Sequence, residues 1–184
     1  MDIKKVFIAV LSVGLVVMIA AAFFGGDISL KSAAKDEPAA PSEEEEAKAF
    51  AFETTDINGD PVSLADYADA KVIMVNMWEP WCGPCVNEMP DIERLYQEYK
   101  DQGFLVLGVF ATVDGDEDAK WVIRSTGVTY PILHASEEFV VFNTGYVPTT
   151  VFMDSEGWGI TENAYVGSKS YEDWKAIIED LLSK

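Results

Sequence analysis

The chain is predicted to fold as an α/β protein with a mixed central sheet and helices on both faces. Three observations carry that expectation. From Phe50 onward, strand-like and helix-like segments alternate in the order β-α-β-α and then β-β-α. Two short apolar runs, Val72–Met77 and Phe104–Ala111, read as buried strands on either side of one long helical segment. Across the 184 residues, 49% hydrophobic and 12% aromatic content is enough to build a core and argues against a disordered chain.

Residues 1–26 stand apart from that domain. Val6–Phe24 is a run of 19 residues without a charge. As a helix it extends about 28 Å, close to the hydrocarbon thickness of a bilayer. A secretory signal has a shorter apolar region, so the segment reads as a membrane anchor. Ala20-Ala21-Ala22 leaves a cleavage site as the alternative. No cysteine lies near the end of the run, which excludes lipid attachment there. Lys4 and Lys5 sit close before it, so the N-terminus is expected inside and the remainder of the chain outside. Residues 27–49 contain Pro38, Pro41 and Glu43-Glu44-Glu45-Glu46, show no apolar period, and read as an extended acidic tether.

The domain, residues 50–184, is then read element by element. Phe50–Thr54 alternates as a strand, and Asn58-Gly59-Asp60-Pro61 is a turn signal that makes a hairpin. Gly83–Gln102 is a long helix with Val86, Met89, Ile92, Leu95, Tyr96 and Tyr99 near one face, expected to kink at Pro90. Glu117–Ser125 is a second helix, and Tyr130–His134 a short strand. Thr149–Met153 is a strand, followed by the turn Asp154-Ser155-Glu156-Gly157 and a further strand over Ile160–Val166. Ser170 and Asp173 make a capping box for the last helix, whose stripe is Trp174, Ile177, Ile178, Leu181 and Leu182.

Charge and cysteine count exclude several functions. The formal net charge is −19, of which residues 50–184 carry −16, so no nucleic-acid partner is expected. Two cysteines cannot staple a disulfide miniprotein or supply a four-thiolate zinc site, and no metal is expected. The one histidine, His134, has no indicated metal or nucleophile partner and reads as structural. Phe139, Phe142 and Tyr146 read as core.

The chemistry is expected at Trp81-Cys82-Gly83-Pro84-Cys85, directly after a strand and opening a helix. Unpaired backbone donors at a helix start favour negative charge and stabilise a Cys82 thiolate. Cys82 at the helix start is expected to be the exposed, attacking thiol. Cys85, one turn inward, resolves the mixed disulfide. A static bridge across so short a loop stabilises little, which favours a redox pair.

These residues carry a resemblance. Val75-Asn76-Met77-Trp78-Glu79-Pro80-Trp81-Cys82-Gly83-Pro84-Cys85 resembles the active-site stretch of thioredoxin-fold proteins. Cys85-Val86-Asn87-Glu88-Met89-Pro90, Ile57-Asn58-Gly59-Asp60-Pro61-Val62-Ser63-Leu64 and Tyr146-Val147-Pro148-Thr149-Thr150-Val151-Phe152-Met153-Asp154 narrow it to the TlpA/ResA-like, membrane-anchored branch. The resemblance implies a thioredoxin-like three-layer α/β/α sandwich with an N-terminal hairpin. It implies that Glu88 is the active-site glutamate, able to take a proton from the resolving thiol. Asn76 stands where thioredoxin has a buried aspartate and is expected to support the site without titrating. Trp81, Gly83 and Pro84 are expected to support the cysteines, with Trp78 as wall or core. Pro148 is implied to be cis, so that Val147 offers its backbone to an extended client. Glu79-Pro80 replaces the small residues usual before Trp81, and Val86 replaces a usual Lys or Arg.

The function expected is an extracytoplasmic thiol–disulfide oxidoreductase at the cell membrane, with no cofactor beyond a Cys82–Cys85 disulfide. The resemblance implies a reductant of protein disulfides, for example in apocytochrome c, fed by a transmembrane thiol electron donor. Alternatives are an oxidase or isomerase of secreted proteins, or a client-binding module using the Pro148 groove. A peroxidase is disfavoured, because no third cysteine exists.

Overall fold

The computed structural model describes residues 48–112 and 114–184. The anchor expected over residues 1–26, and the tether up to residue 47, lie outside the described residues. Among the described residues no helix is long and apolar enough to cross a membrane.

Two strands, β1 (Glu53–Thr55) and β2 (Pro61–Ser63), form the expected hairpin, pairing Thr54 with Val62. Its turn is held by Asp56, whose carboxylate accepts from the backbone N–H groups of Asn58 and Asp60. The main sheet has five strands in the order β5-β4-β3-β6-β7, with β3 (Val72–Met77), β4 (Phe104–Phe110) and β5 (Ile132–His134) mutually parallel. β6 (Thr149–Met153) runs antiparallel to β3, and β7 (Tyr165–Val166) antiparallel to β6. Three α-helices complete the fold: α1 (Gly83–Tyr99), α2 (Asp116–Thr126) and α3 (Tyr171–Leu182).

The strands are apolar on both faces, and alternate residues enter two cores. Val72 and Met74 of β3 and Phe104, Val106 and Phe110 of β4 meet Met89, Ile92 and Leu95 of α1, Val122 of α2, and Trp174 and Ile178 of α3. Ile73, Val75, Leu107 and Val109 face the other way, against Phe52, Leu64 and Phe139. All three α-helices therefore contribute to one core. This differs from the expectation of α-helices on both faces. From β3 through β4 to β5 the chain steps across the sheet in one direction, and right-handed crossovers place α1 and α2 on the same side. The second face is covered by the N-terminal stretch and by short 3-10 helices at Leu64–Tyr67 and Glu137–Phe142.

Other boundaries moved for identifiable reasons. The first strand starts at Glu53 and not Phe50: the Phe50 N–H donates to the Gly157 carbonyl at 2.9 Å, outside the hairpin ladder. The long helix runs through Pro90 to Tyr99 and tightens into a 3-10 turn at Lys100–Gln102. The strand expected over Ile160–Val166 shrinks to Tyr165–Val166. Ile160 still donates to Phe152, but the Thr161 hydroxyl then bonds the Asn163 carbonyl and turns the chain off the edge. At α3 the Ser170 hydroxyl oxygen accepts from the Asp173 N–H at 3.2 Å, as expected of a cap. The reciprocal half of the box is replaced: Asp173 accepts from the Ser170 hydroxyl at 2.7 Å.

Candidate active site

The site forms where β3 ends and α1 begins. The Glu79 carbonyl accepts the Cys82 N–H at 3.0 Å, closing the turn that follows β3. Cys82 is the N-cap of α1: its carbonyl accepts from Val86 at 3.1 Å, and its Sγ accepts the Cys85 N–H at 3.2 Å. Sulfur thus occupies the place of a capping oxygen, in the positive field of the helix start. Cys82 and Cys85 are joined in a disulfide, with Cα atoms 5.3 Å apart. Gly83 and Pro84 between them are exposed, and Pro84, at the first turn, forfeits no helical hydrogen bond.

Cys85 is fully buried, as the helix geometry requires, but Cys82 is only 5% exposed. That corrects the expectation of an exposed attacking thiol. In the oxidised state Sγ turns inward to Cys85, and the loop before β6 lies over it, with the Val147 carbonyl 3.7 Å from Cys82 Sγ. The Val147–Pro148 peptide bond is cis, and Pro148 is buried beside Thr149.

Behind the cysteines, on the next turn of α1, Glu88 is 3% exposed. Three donors reach it. Asn76 Nδ2 donates to Oε1 at 3.1 Å, while the Lys169 N–H and Trp174 Nε1 donate to Oε2 at 3.1 and 3.3 Å. Burial pushes the Glu88 carboxyl above its ordinary value, against the lowering pull of the hydrogen bonds from Lys169, Asn76 and Trp174. Asn76 is itself buried in β3 and gives its other bond to Thr150 Oγ1 of β6 at 3.0 Å.

The two tryptophans part company. Trp78 is core, 5.7 Å from Phe110 between ring centroids, whereas Trp81 is 72% exposed and its indole donates to Thr112 Oγ1 at 3.3 Å. Phe139 is buried and Phe142 half-buried, as expected, but Tyr146 is as exposed as Trp81, because it projects from the loop beside Val147. His134 is structural: Nε2 lies 2.9 Å from Asp116 Oδ1 and Nδ1 3.1 Å from Thr55 Oγ1, tying β5 to α2 and the hairpin.

Sequence reasoning did not anticipate the backbone N–H of Lys169, the Trp174 indole or the Thr150 hydroxyl as partners in this site. Trp174 showed only as one member of an apolar stripe. Glu79 stood out in sequence and proves buried, its carboxylate accepting from the Ala111 N–H at 2.9 Å and from the Thr112 hydroxyl.

Residues 45–158 match the AhpC/TSA family. The chain belongs to that family. Among curated relatives it is 33% identical to the thiol-disulfide oxidoreductase ResA of Geobacillus kaustophilus, over 71% of this chain and 74% of that one. It is 29% identical to the thioredoxin-like protein YneN of Bacillus subtilis, over 74% and 79%. Among solved structures, a putative thioredoxin from Neisseria meningitidis superposes with a TM-score of 0.62 at 30% identity, covering 74% of this chain and 90% of that one. A thioredoxin-family thiol:disulfide interchange protein from Chlorobium tepidum gives 0.63 at 26% identity, covering 74% and 99%. The AhpC/TSA membership, the thioredoxin-like fold and the cysteine pair capping α1 make this chain a thiol–disulfide oxidoreductase of the ResA type.

Proposed function

We propose that the chain is a protein-disulfide reductase, anchored in the cell membrane with its catalytic domain outside, that supplies electrons to clients such as apocytochrome c. The observation that carries the catalytic part is the Cys82–Cys85 pair at the start of α1, beside the Val147 backbone and in front of the buried Glu88. The uncharged run Val6–Phe24 supports the anchor, and the resemblance to the TlpA/ResA-like branch supports the client and a transmembrane thiol donor.

The reduced enzyme begins the cycle. The Cys82 thiolate, favoured by the Cys85 N–H and the helix field, attacks one sulfur of the client disulfide. A Cys82–client bond forms, the client S–S bond breaks, and the departing client thiolate takes a proton. Cys85 then gives up its proton, for which Glu88 on the next turn is the acceptor. Its sulfur attacks Cys82 Sγ, the enzyme disulfide forms, and the second client thiol leaves. The two electrons now on the client came from the two cysteines. During the encounter the client backbone pairs with Val147, beside Pro148. Trp81 forms the outer wall, Gly83 and Pro84 make the exposed turn between the two cysteines, and Asn76 holds the Glu88 carboxyl.

The test is the redox equilibrium of the full chain against glutathione, with complementation of a deletion strain. A reducing potential, together with loss of cytochrome maturation in the Cys82→Ser, Cys85→Ser double variant, is expected. Maturation restored by the double variant would sink the reductase reading.

A further inference from the structure

A groove of about 490 Å³ runs from the end of β3 to the loop before β6, lined by Glu79, Trp81, Ala111, Val140, Tyr146 and Val147 among others. Its lining includes Val147, whose carbonyl is the group 3.7 Å from Cys82 Sγ. Its rim is apolar and open: Trp81 and Tyr146 are each 72% exposed and Val140 66%. Its one acidic lining residue is Glu79, nine-tenths buried.

That carboxylate is held by neutral donors. It receives the Ala111 N–H and the Thr112 hydroxyl. Among the described residues no lysine, arginine or histidine forms an ion pair with it. Two neutral donors offset only part of the cost of removing a carboxylate from water, and buried charges are ordinarily paired. The domain around it carries a net −16, so its field draws cations from solution toward it. A cation delivered from outside, along a groove that shares Val147 with the surroundings of Cys82, completes the pair.

We infer that Glu79 is a specificity residue, which receives a lysine or arginine side chain that the client carries next to its cysteine. The inference rests on the proposed reduction of protein disulfides and adds which clients are taken. An extended client whose cysteine meets Cys82 places its neighbouring side chains in this groove. The apolar stem of a lysine or arginine lies along Trp81 and Tyr146 while the charged head reaches Glu79.

The test uses the full chain and two disulfide-bonded peptides that differ only in lysine or glutamine beside the cysteine. The expected kcat/KM ratio is about tenfold in favour of lysine, the scale of one partly desolvated ion pair. Glu79→Gln is expected to bring the ratio to about one, while Glu137→Gln, an exposed acid outside the groove, leaves it in place. If Glu79→Gln does not fold, the wild-type protein decides alone. Moving the lysine several residues from the cysteine must abolish the preference, because a general pull of the acidic surface does not depend on position. Equal rates for both peptides, or a preference that ignores position, overturn the inference and leave the reductase reading standing. No reduction of either peptide overturns the reductase reading, and this inference falls with it.

Discussion

Asn76 donates to Glu88 across 3.1 Å, joining the middle of the sheet to the buried acid of α1 through a side chain that cannot ionise. The same amide bonds Thr150 at 3.0 Å, so its orientation is fixed from the neighbouring strand as well. A titrating residue at position 76 would compete with Glu88 for one proton. The amide leaves Glu88 as the single buried acid at that point.

Asn76→Asp is expected to destabilise the fold by about 2–4 kcal/mol at pH 8 and by less at pH 5, because two buried carboxylates then face each other. Folding raises the proton affinity of such a pair, so the folded state binds more protons than the unfolded one and stability falls as pH rises. Urea midpoints at the two pH values measure it. Equal losses at both would show that the two acids do not interact.

Glu88→Gln tests the proton itself. Because burial raises the folded-state value, wild-type stability declines as pH climbs from the ordinary carboxylate range through the raised one, and above that range the full cost of burying the charge is present. The glutamine variant lacks that slope and gains on wild type across the window. Its client-reduction rate is expected to fall by about a hundredfold, with the corresponding limb of the pH–rate profile lost. An unchanged profile would remove Glu88 from proton transfer.

The two cysteines are expected to fail in different ways. Cys85→Ser should accumulate a Cys82–client mixed disulfide, visible as a thiol-sensitive adduct by mass spectrometry, since nothing remains to resolve it. Cys82→Ser should form none, because Cys85 is fully buried. Adducts of equal abundance in both variants would contradict the order of attack.

Gly157→Ala probes how the N-terminal stretch is attached. Gly157 has φ +88°, and an added Cβ would lie 1.8 Å from the Phe50 carbonyl oxygen. A loss of about 3–5 kcal/mol is expected, from backbone strain and from displacement of Phe50. Gly159→Ala, with open space and no such φ, should change stability by less than about 0.5 kcal/mol. Thermal melts of both variants decide, and similar midpoints would show that Phe50 is free to move.

What the sequence discloses follows from how local each signal is. β3 and β4 are legible because apolar runs announce burial without any knowledge of the partner. α3 is legible because Ser170 and the Trp174 stripe lie within a few residues of one another. The cysteine pair is legible from its strand-to-helix junction. The burial of Cys82 is not legible, since Val147, which lies over it, is 65 residues away. The surroundings of Glu88 are hidden for the same reason. The side on which a helix packs depends on the direction in which the strands are added, so the shared face of α1 and α2 emerges only with the sheet order.

The bonds to Glu88 Oε2 come from residues 81 and 86 positions downstream, within the last sixteen residues of the chain. Synthesis therefore delivers both cysteines well before the residues that bond Glu88 Oε2. Until α3 docks, Glu88 lacks the Trp174 bond that it has in the folded chain. A chain cut short before Lys169 would keep both cysteines and lose both bonds to Glu88 Oε2.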